Sequence, residues 1–300
     1  MTMRRMALRT GRFLLGLLLA AGLPPVTAAA DLRPVRVMTF NILVDLPNAA
    51  FEPWSARRTA IIDTIRRHDP DLLSLQETAY WQVADLRRQL TAHEFFYAPQ
   101  YPDAVIAYRT ARFAPRAQNW EWIGPHPELP VGIGYGNLIP RLYVWSILAE
   151  KASGRELLFS ATHFDSTKPF QQRAAQEYIR NLEARSGGRP VIAAGDFNSR
   201  PASVAYGLLT APLPSGFQLR DAWDVAATRS VVQPPEDSRV HDPARRIDHV
   251  LVSREFAVDA WTVDMTRYGD PLRDPSDHYA VVAALRLAEP PAATAATPVP

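Results

Sequence analysis

Residues 190–198, PVIAAGDFN, decide the fold. Val191, Ile192, Ala193 and Ala194 form an apolar run of strand length, and the run stops at Gly195-Asp196-Phe197-Asn198. Short polar groups at the end of a buried strand are how an α/β scaffold mounts a site on rigid supports. The same design recurs along the chain. Strand-like runs begin at 35 (VRVMTFNIL), 71 (DLLSLQ), 104 (AVIAYR), 143 (YVWSILA), 156 (ELLFSATHF), 247 (IDHVLVS) and 279 (YAVVAALRL). Asn41, Gln76-Glu77 and His163-Phe164-Asp165 end three of them, and Ser276-Asp277-His278 precedes the last.

Between these runs the hydrophobic period changes to that of helices. Ser55 is expected to cap a helix carrying Ile61, Ile62 and Ile65 that ends before Asp69-Pro70. Ala79, Val83, Leu86 and Leu90 follow helical spacing, as do Ala174, Ala175, Tyr178, Ile179 and Leu182 ahead of Gly187-Gly188. Buried strands mixed with amphipathic helices imply α/β sheet packing. With no internal linker or repeat, residues 31–287 read as one domain, followed by a disordered Pro/Ala-rich tail at 288–300.

The first thirty residues read as a signal peptide: Arg4, Arg5, Arg9 and Arg12, then an apolar run from Phe13 to Leu23, then Ala28, Ala29 and Ala30. That run is far shorter than the roughly 20 residues that cross a bilayer, so no stable membrane anchor is expected. Cleavage near Ala30 would leave a secreted or periplasmic protein. Removing those four arginines from the 33 Lys+Arg leaves 29 basic against 31 acidic residues. The excess positive charge therefore belongs to the export segment, and nucleic acid, though open as a partner, is not favoured by charge. No obligate protein partner is evident. The absence of cysteine removes disulfides, thiolate zinc sites and cysteine nucleophiles together.

Carboxylates, amides and histidines without cysteine are the donor chemistry of hard cations, with Mg²⁺ or Mn²⁺ as the expected cofactor. The ordered series TFN (39–41), LQE (75–77), THFD (162–165), GDFN (195–198), RIDHV (246–250) and SDH (276–278) resembles the endonuclease/exonuclease/phosphatase superfamily. That group of Mg²⁺-dependent hydrolases includes deoxyribonuclease I, apurinic endonucleases, inositol-polyphosphate 5-phosphatases, neutral sphingomyelinases and deadenylases. The resemblance covers about Val35 to Leu287. It implies a four-layer α/β/β/α sandwich with two packed mixed sheets.

The resemblance also implies roles. Glu77 and Asp277 match metal-binding carboxylates, and Asn41 a polar group turned toward metal and phosphate. His278 matches a proton-handling histidine and Asp248 the aspartate paired with it. Asp196 and Asn198 match groups that orient the attacking water and a phosphate oxygen, with Gly195 giving the backbone a tight exit from the strand. His163 matches the histidine that steadies phosphate or protonates the leaving oxygen. His249, where the family often has tyrosine, reads as a tolerated variation and not a ligand. Arg141, in the place where secreted bacterial members carry a PRxxxWA pattern, and Arg173 are tentative substrate-binding residues, and Asp45 is less defined. Trp120 and Trp122 are the aromatic residues expected at a binding rim.

These features imply a secreted metal-dependent phosphoesterase acting on small organic phosphates. An extracellular nuclease, a sphingomyelinase-like phospholipase and an inactive binding module of the same fold are the alternatives. The last would require erosion of a site residue, and the six motifs are intact.

Overall fold

The structure, a computed structural model, describes residues 33–47, 50–126, 134–137, 139–233 and 237–288. The expected signal segment and residues 289–300 of the tail lie outside the described residues. In chain order the elements are β1 (Val35–Asn41), α1 (Trp54–His68), β2 (Leu72–Gln76), α2 (Tyr80–Gln89), β3 (His93–Tyr97), β4 (Ala104–Arg109), β5 (Phe113–Trp122), β6 (Leu142–Glu150) and β7 (Glu156–His163). There follow α3 (Lys168–Ser186), β8 (Val191–Asp196), α4 (Val204–Thr210), β9 (Leu219–Asp221), α5 (Ala222–Val225), β10 (Thr228–Val232), β11 (Asp248–Ser253), β12 (Phe256–Asp264) and β13 (Ala280–Leu287).

Two mixed sheets form, in the orders β10-β12-β13-β1-β2-β4-β3 and β5-β6-β7-β8-β11-β9. The β1/β2, β7/β8 and β10/β12 pairs are parallel. Because successive strand side chains face opposite ways, each sheet feeds two cores. Val37, Leu72 and Ile106 meet Val144, Phe159, Ile192 and Val250 between the sheets. Met38, Leu73 and Leu75 pack under Ile61, Ile65, Val83 and Leu86 of α1 and α2. Leu158, Ala193 and Leu251 pack against Phe170, Tyr178, Leu182 and Leu209 of α3 and α4. Three apolar layers between four structural ones make the α/β/β/α sandwich that the family resemblance implied.

Local departures have physical causes. Ser55 does not cap α1: Pro53 occupies that position, and Asp45 Oδ1 accepts from the Trp54 amide at 2.9 Å. Trp122 is not a rim residue, because it is buried in the inter-sheet core and stacked on Tyr101, with half-buried Trp120 edge-on to it. The glycine at 195 is needed for close approach and not for a turn: a Cβ there would lie 2.2 Å from the Thr162 carbonyl oxygen of the neighbouring strand. Among the described residues no helix is long and apolar enough to cross a membrane.

Candidate active site

Strand alternation carries the inter-sheet face straight into the site. Val35, Val37, Thr39 and Asn41 share one face of β1, and Leu157, Phe159, Ala161 and His163 share one face of β7. Ile192, Ala194 and Asp196 do the same on β8, as do Asp248, Val250 and Val252 on β11. The register pairs Asn41 with Gln76, His163 with Asp196 and Asp196 with Asp248, so these residues converge at one end of the sandwich. Approaching that end, the layer turns from apolar to hydrogen-bonded. Thr39 donates to Gln76 Oε1 (3.2 Å), Gln76 Nε2 to Ser74 Oγ (2.7 Å) and Ser74 Oγ to the Ala194 carbonyl of the opposite sheet (2.9 Å).

The centre is Asp196, 1% exposed. Asn41 Nδ2 reaches both Asp196 Oδ2 and Glu77 Oε1 at 3.2 Å, while Asn41 Oδ1 accepts from the Leu43 amide (3.1 Å). The Asn198 amide donates to Asp196 Oδ1 at 2.8 Å, and Asn198 Nδ2 to the Phe164 carbonyl at 2.8 Å. Two imidazoles flank the carboxylate: His163 Nε2 lies 3.4 Å and His278 Nε2 3.7 Å from Asp196 Oδ2. Each histidine has its own aspartate behind it. His278 Nδ1 is 2.8 Å from Asp248 Oδ2, and His163 Nδ1 is 3.2 Å from Asp103 Oδ1. Each aspartate thereby turns the other nitrogen of its imidazole toward the cleft.

These neighbours set the ionisation. Burial pushes the Asp196 pKa up and Asp248 pushes it further, more than the two histidines pull it back. For His278, burial opposes protonation, but Asp248, then Asp196 and Asp277, overcome it and raise the pKa to about 10. His163 is likewise raised, with burial outweighed by Asp103 and Asp196. Burial would raise Asp103, yet His163 and Arg141 hold it below the usual carboxylate value.

Glu77 and Asp277 reach the solvent side of the cluster. Glu77 adopts φ 53°, Asn198 φ 47° and Leu43 φ 58°, a left-handed backbone that residues with a Cβ adopt only when the surroundings impose it. Buried Arg57, which the sequence reading overlooked, donates to the Ile42, Leu43 and Pro275 carbonyls and so pins the loops bearing Asn41 and Asp277 together. Asp103 was also overlooked. The available signal was an aspartate immediately before the apolar run AVIAYR, the same placement that marked Asp277.

Other candidates sit elsewhere. Arg141 is buried, donates through Nη1 to Asp103 Oδ2 at 2.7 Å and lies 2.8 Å from His163 Nδ1, so that nitrogen braces the His163 pair and does not point outward. Arg173 lies exposed on α3 with its guanidinium 5.6 Å from the Tyr135 ring centre, and no hydrogen bond or ion pair among the described residues joins it to the cluster. Asp45 is occupied by the Trp54 amide and by Trp81 Nε1 at 2.9 Å each. His249 is buried between Asp221 Oδ2 and the Ser199 carbonyl, 2.9 Å from each, a position suited to bracing β11.

The donor set fits a hard divalent cation. Asp196, Asp248 and His278 offer atoms within 4.8 Å of one another, and Asp248 Oδ1 is buried with no hydrogen-bond partner among the described residues. Besides Asp103, which Arg141 pairs, the acidic side chains Glu77, Asp196, Asp248 and Asp277 stand at this end, and the nearby Arg57 spends its hydrogen bonds on carbonyls. Such crowding of carboxylates is the arrangement a cation relieves.

Residues 38–278 match the model of the Endonuclease/Exonuclease/phosphatase family. The chain belongs to that family, whose members hydrolyse phosphoester bonds and are generally dependent on divalent metals. A solved endonuclease/exonuclease/phosphatase from Bacteroides vulgatus is 27% identical, with TM-score 0.73 over 84% of this chain and 98% of that one. A mannosyl-6-phosphatase from Bacteroides thetaiotaomicron is 26% identical, with TM-score 0.72 over 84% and 99%. Nocturnin from Rattus norvegicus is 25% identical over 279 residues, covering 82% of this chain, and the chain spans 63% of that relative's length.

Proposed function

We propose that this protein is an exported, Mg²⁺- or Mn²⁺-dependent phosphoesterase of small organic phosphates. The observation that carries this reading is the crowding of acidic side chains around two aspartate-backed histidines at the open end of the sandwich. Glu77 and Asp277, the two carboxylates nearest solvent, would hold the metal, with Asn41 fixing Glu77 in place. When bound there, a divalent cation supplies charge stabilisation to a phosphoryl oxygen and to the leaving group. His278, oriented by Asp248, handles the proton of the attacking water together with Asp196. His163, held by Asp103 and Arg141, faces the cleft through Nε2 and is positioned to donate to a phosphoryl or leaving-group oxygen. Asn198 holds Asp196 through its amide.

The relation at 26% identity to a mannosyl-6-phosphatase supports a small organic phosphate as substrate. The arginine-rich start and short apolar run support export. Activity is tested on p-nitrophenyl phosphate, bis-p-nitrophenyl phosphate, hexose phosphates, plasmid DNA and sphingomyelin, each with Mg²⁺, with Mn²⁺ and with EDTA. Chelator-sensitive turnover of the small esters is expected. Chelator-insensitive turnover, or preference for DNA or lipid, refutes the reading. Intact-mass analysis of the exported fraction tests the start at Asp31.

A further inference from the structure

Beside His278 and Asp248 the two sheets part around a cavity of about 390 Å³. Val263, Val281 and Tyr279 line its sheet side, and the segment before β11 forms its wall with Val240, His241, Asp242, Arg245 and Arg246. A space of this size suits a small organic group.

The arginines of this region differ in what they already hold. Arg239, behind Tyr279, is spent on Asp237, on Asp274 (2.7 Å) and on the Tyr279 hydroxyl (3.0 Å). Arg246 donates to Asp221 (3.1 Å), to Asp224 (3.3 Å) and to the Pro243 carbonyl (2.7 Å), and lies over the Trp223 ring. Arg245 closes the short 3-10 turn Pro243–Arg245, is exposed, and makes no side-chain hydrogen bond or ion pair among the described residues. Its acidic neighbour Asp242 uses Oδ1 to cap the Ala244 amide (2.9 Å). His241 sits against Trp223 and Trp261, with burial first and Arg246 second lowering its pKa, so it meets a ligand as a neutral hydrogen-bonding ring. On the His278 side the imidazole is offset by Asp248 and Asp277, and Arg246 is offset by Asp221 and Asp224, so Arg245 is the cationic side chain of the lining that no described carboxylate pairs.

We propose that this cavity receives the organic part of the substrate and that Arg245 pairs with a second anionic group on it, a carboxylate or a further phosphate. The inference rests on the phosphoesterase reading above and narrows it to esters that carry a second anionic group besides the scissile phosphate. A guanidinium is suited to either group because it offers two parallel N–H donors.

The test is kcat/KM of the full chain with Mn²⁺ on a hexose 6-phosphate, on 6-phosphogluconate and on a hexose 1,6-bisphosphate. At least one of the two esters with a second anionic group should be preferred to the hexose monophosphate, and which of them gains tells carboxylate from phosphate. Arg245→Gln should reduce that preference about tenfold or more, through KM, as loss of one charge-assisted pair implies. Arg245→Lys should retain part of it. Arg254→Ala, exposed at the far end of β11, serves as the control and should leave the preference intact. Equal kcat/KM on all three esters, or a preference that survives Arg245→Gln, overturns this inference and leaves the phosphoesterase reading standing. No metal-dependent turnover of any ester overturns both.

Discussion

Asp71 and Asp196, buried at the two ends of the sandwich, meet opposite surroundings. At the end where β2 begins, Asp71 is fully buried and accepts from Arg33 (3.0 Å), Arg109 (3.2 Å), Arg112 (2.8 Å) and the Arg36 amide (3.1 Å). At the end where β2 stops, Asp196 is as deeply buried but faces Asp248, with Glu77 and two histidines close by and no arginine bonded to it among the described residues. Backbone strain divides the same way. Asp69, the positive-φ residue near Asp71, is explained by its place as the C-cap of α1, whereas Leu43, Glu77 and Asn198 bend at the other end without a helix terminus to require it. One end is electrostatically closed and stabilises the fold. At the other, like charges and left-handed backbone are held together by the surrounding fold, as is usual where structure serves a site and not stability.

Substitutions should therefore separate activity from stability. The largest effect is expected at the open end: His278→Ala should lower kcat by about 10²–10⁴-fold, the range of general acid/base catalysis. The metal concentration for half-maximal activity should stay nearly constant in that variant. A shifted metal curve would mean that His278 holds the cation, as its closeness to Asp196 and Asp248 also permits. At the closed end, Asp71→Ala removes an acceptor shared by three arginines, of which Arg112 keeps Glu150 and Arg109 keeps Asp69, and should cost about 3 kcal/mol in urea unfolding, the low end for loss of one partner from a buried ion pair. The folded fraction of that variant should keep its kcat/KM. Next in size, Mn²⁺ at a hundred times its dissociation constant should stabilise the wild type by about 2.7 kcal/mol. Glu77→Gln should need more metal for the same gain. Thermal melts at a series of Mn²⁺ concentrations check both, and a metal-independent melting temperature would contradict the cation site.

How far the sequence showed this depends on where apolar residues are continuous. All eight strand-like runs read from the chain are strands, because strands covered on both faces carry unbroken apolar sequence. The strands that escaped notice are the less regular ones. β10 is almost wholly exposed, and β5 carries Pro115 at a register shift and alternates with polar residues. The motif residues do come together: period-two alternation puts Asn41, His163, Asp196 and Asp248 on the inter-sheet face at strand ends, and Glu77, Asn198, Asp277 and His278 follow in the loops next to β2, β8 and β13. Asp103 and Arg57 could not be recognised in that way. Asp103 meets His163 sixty residues later only because β4 pairs with β2 (Gln76 opposite Ala104), and Arg57 acts on carbonyls that no side-chain pattern marks.

The smallest effect tests the comparison from between the two ends, at Asp221. This buried carboxylate accepts from His249, Arg246, the Tyr206 hydroxyl and the Trp223 amide. Burial would raise its pKa, but His249 and then Arg246 outweigh that and hold it at about 2, against 3.8 for an ordinary aspartate. A depressed carboxylate pKa means that the unfolded chain binds the proton more readily. Its stabilisation is therefore complete above about pH 4 and is lost as pH falls toward 2. A shift of this size corresponds to about 2 kcal/mol. Asp196 has the opposite sign: with its pKa raised, its contribution in EDTA is present at low pH and lost as pH rises. Urea unfolding of wild type and Asp221→Asn in EDTA should thus differ by about 2 kcal/mol at pH 6, and the gap should close as pH falls toward 2. The gap between wild type and Asp196→Asn should move in the other direction over its own titration. If both gaps are flat with pH, the contrast between compensated and crowded carboxylates does not govern the stability of this protein.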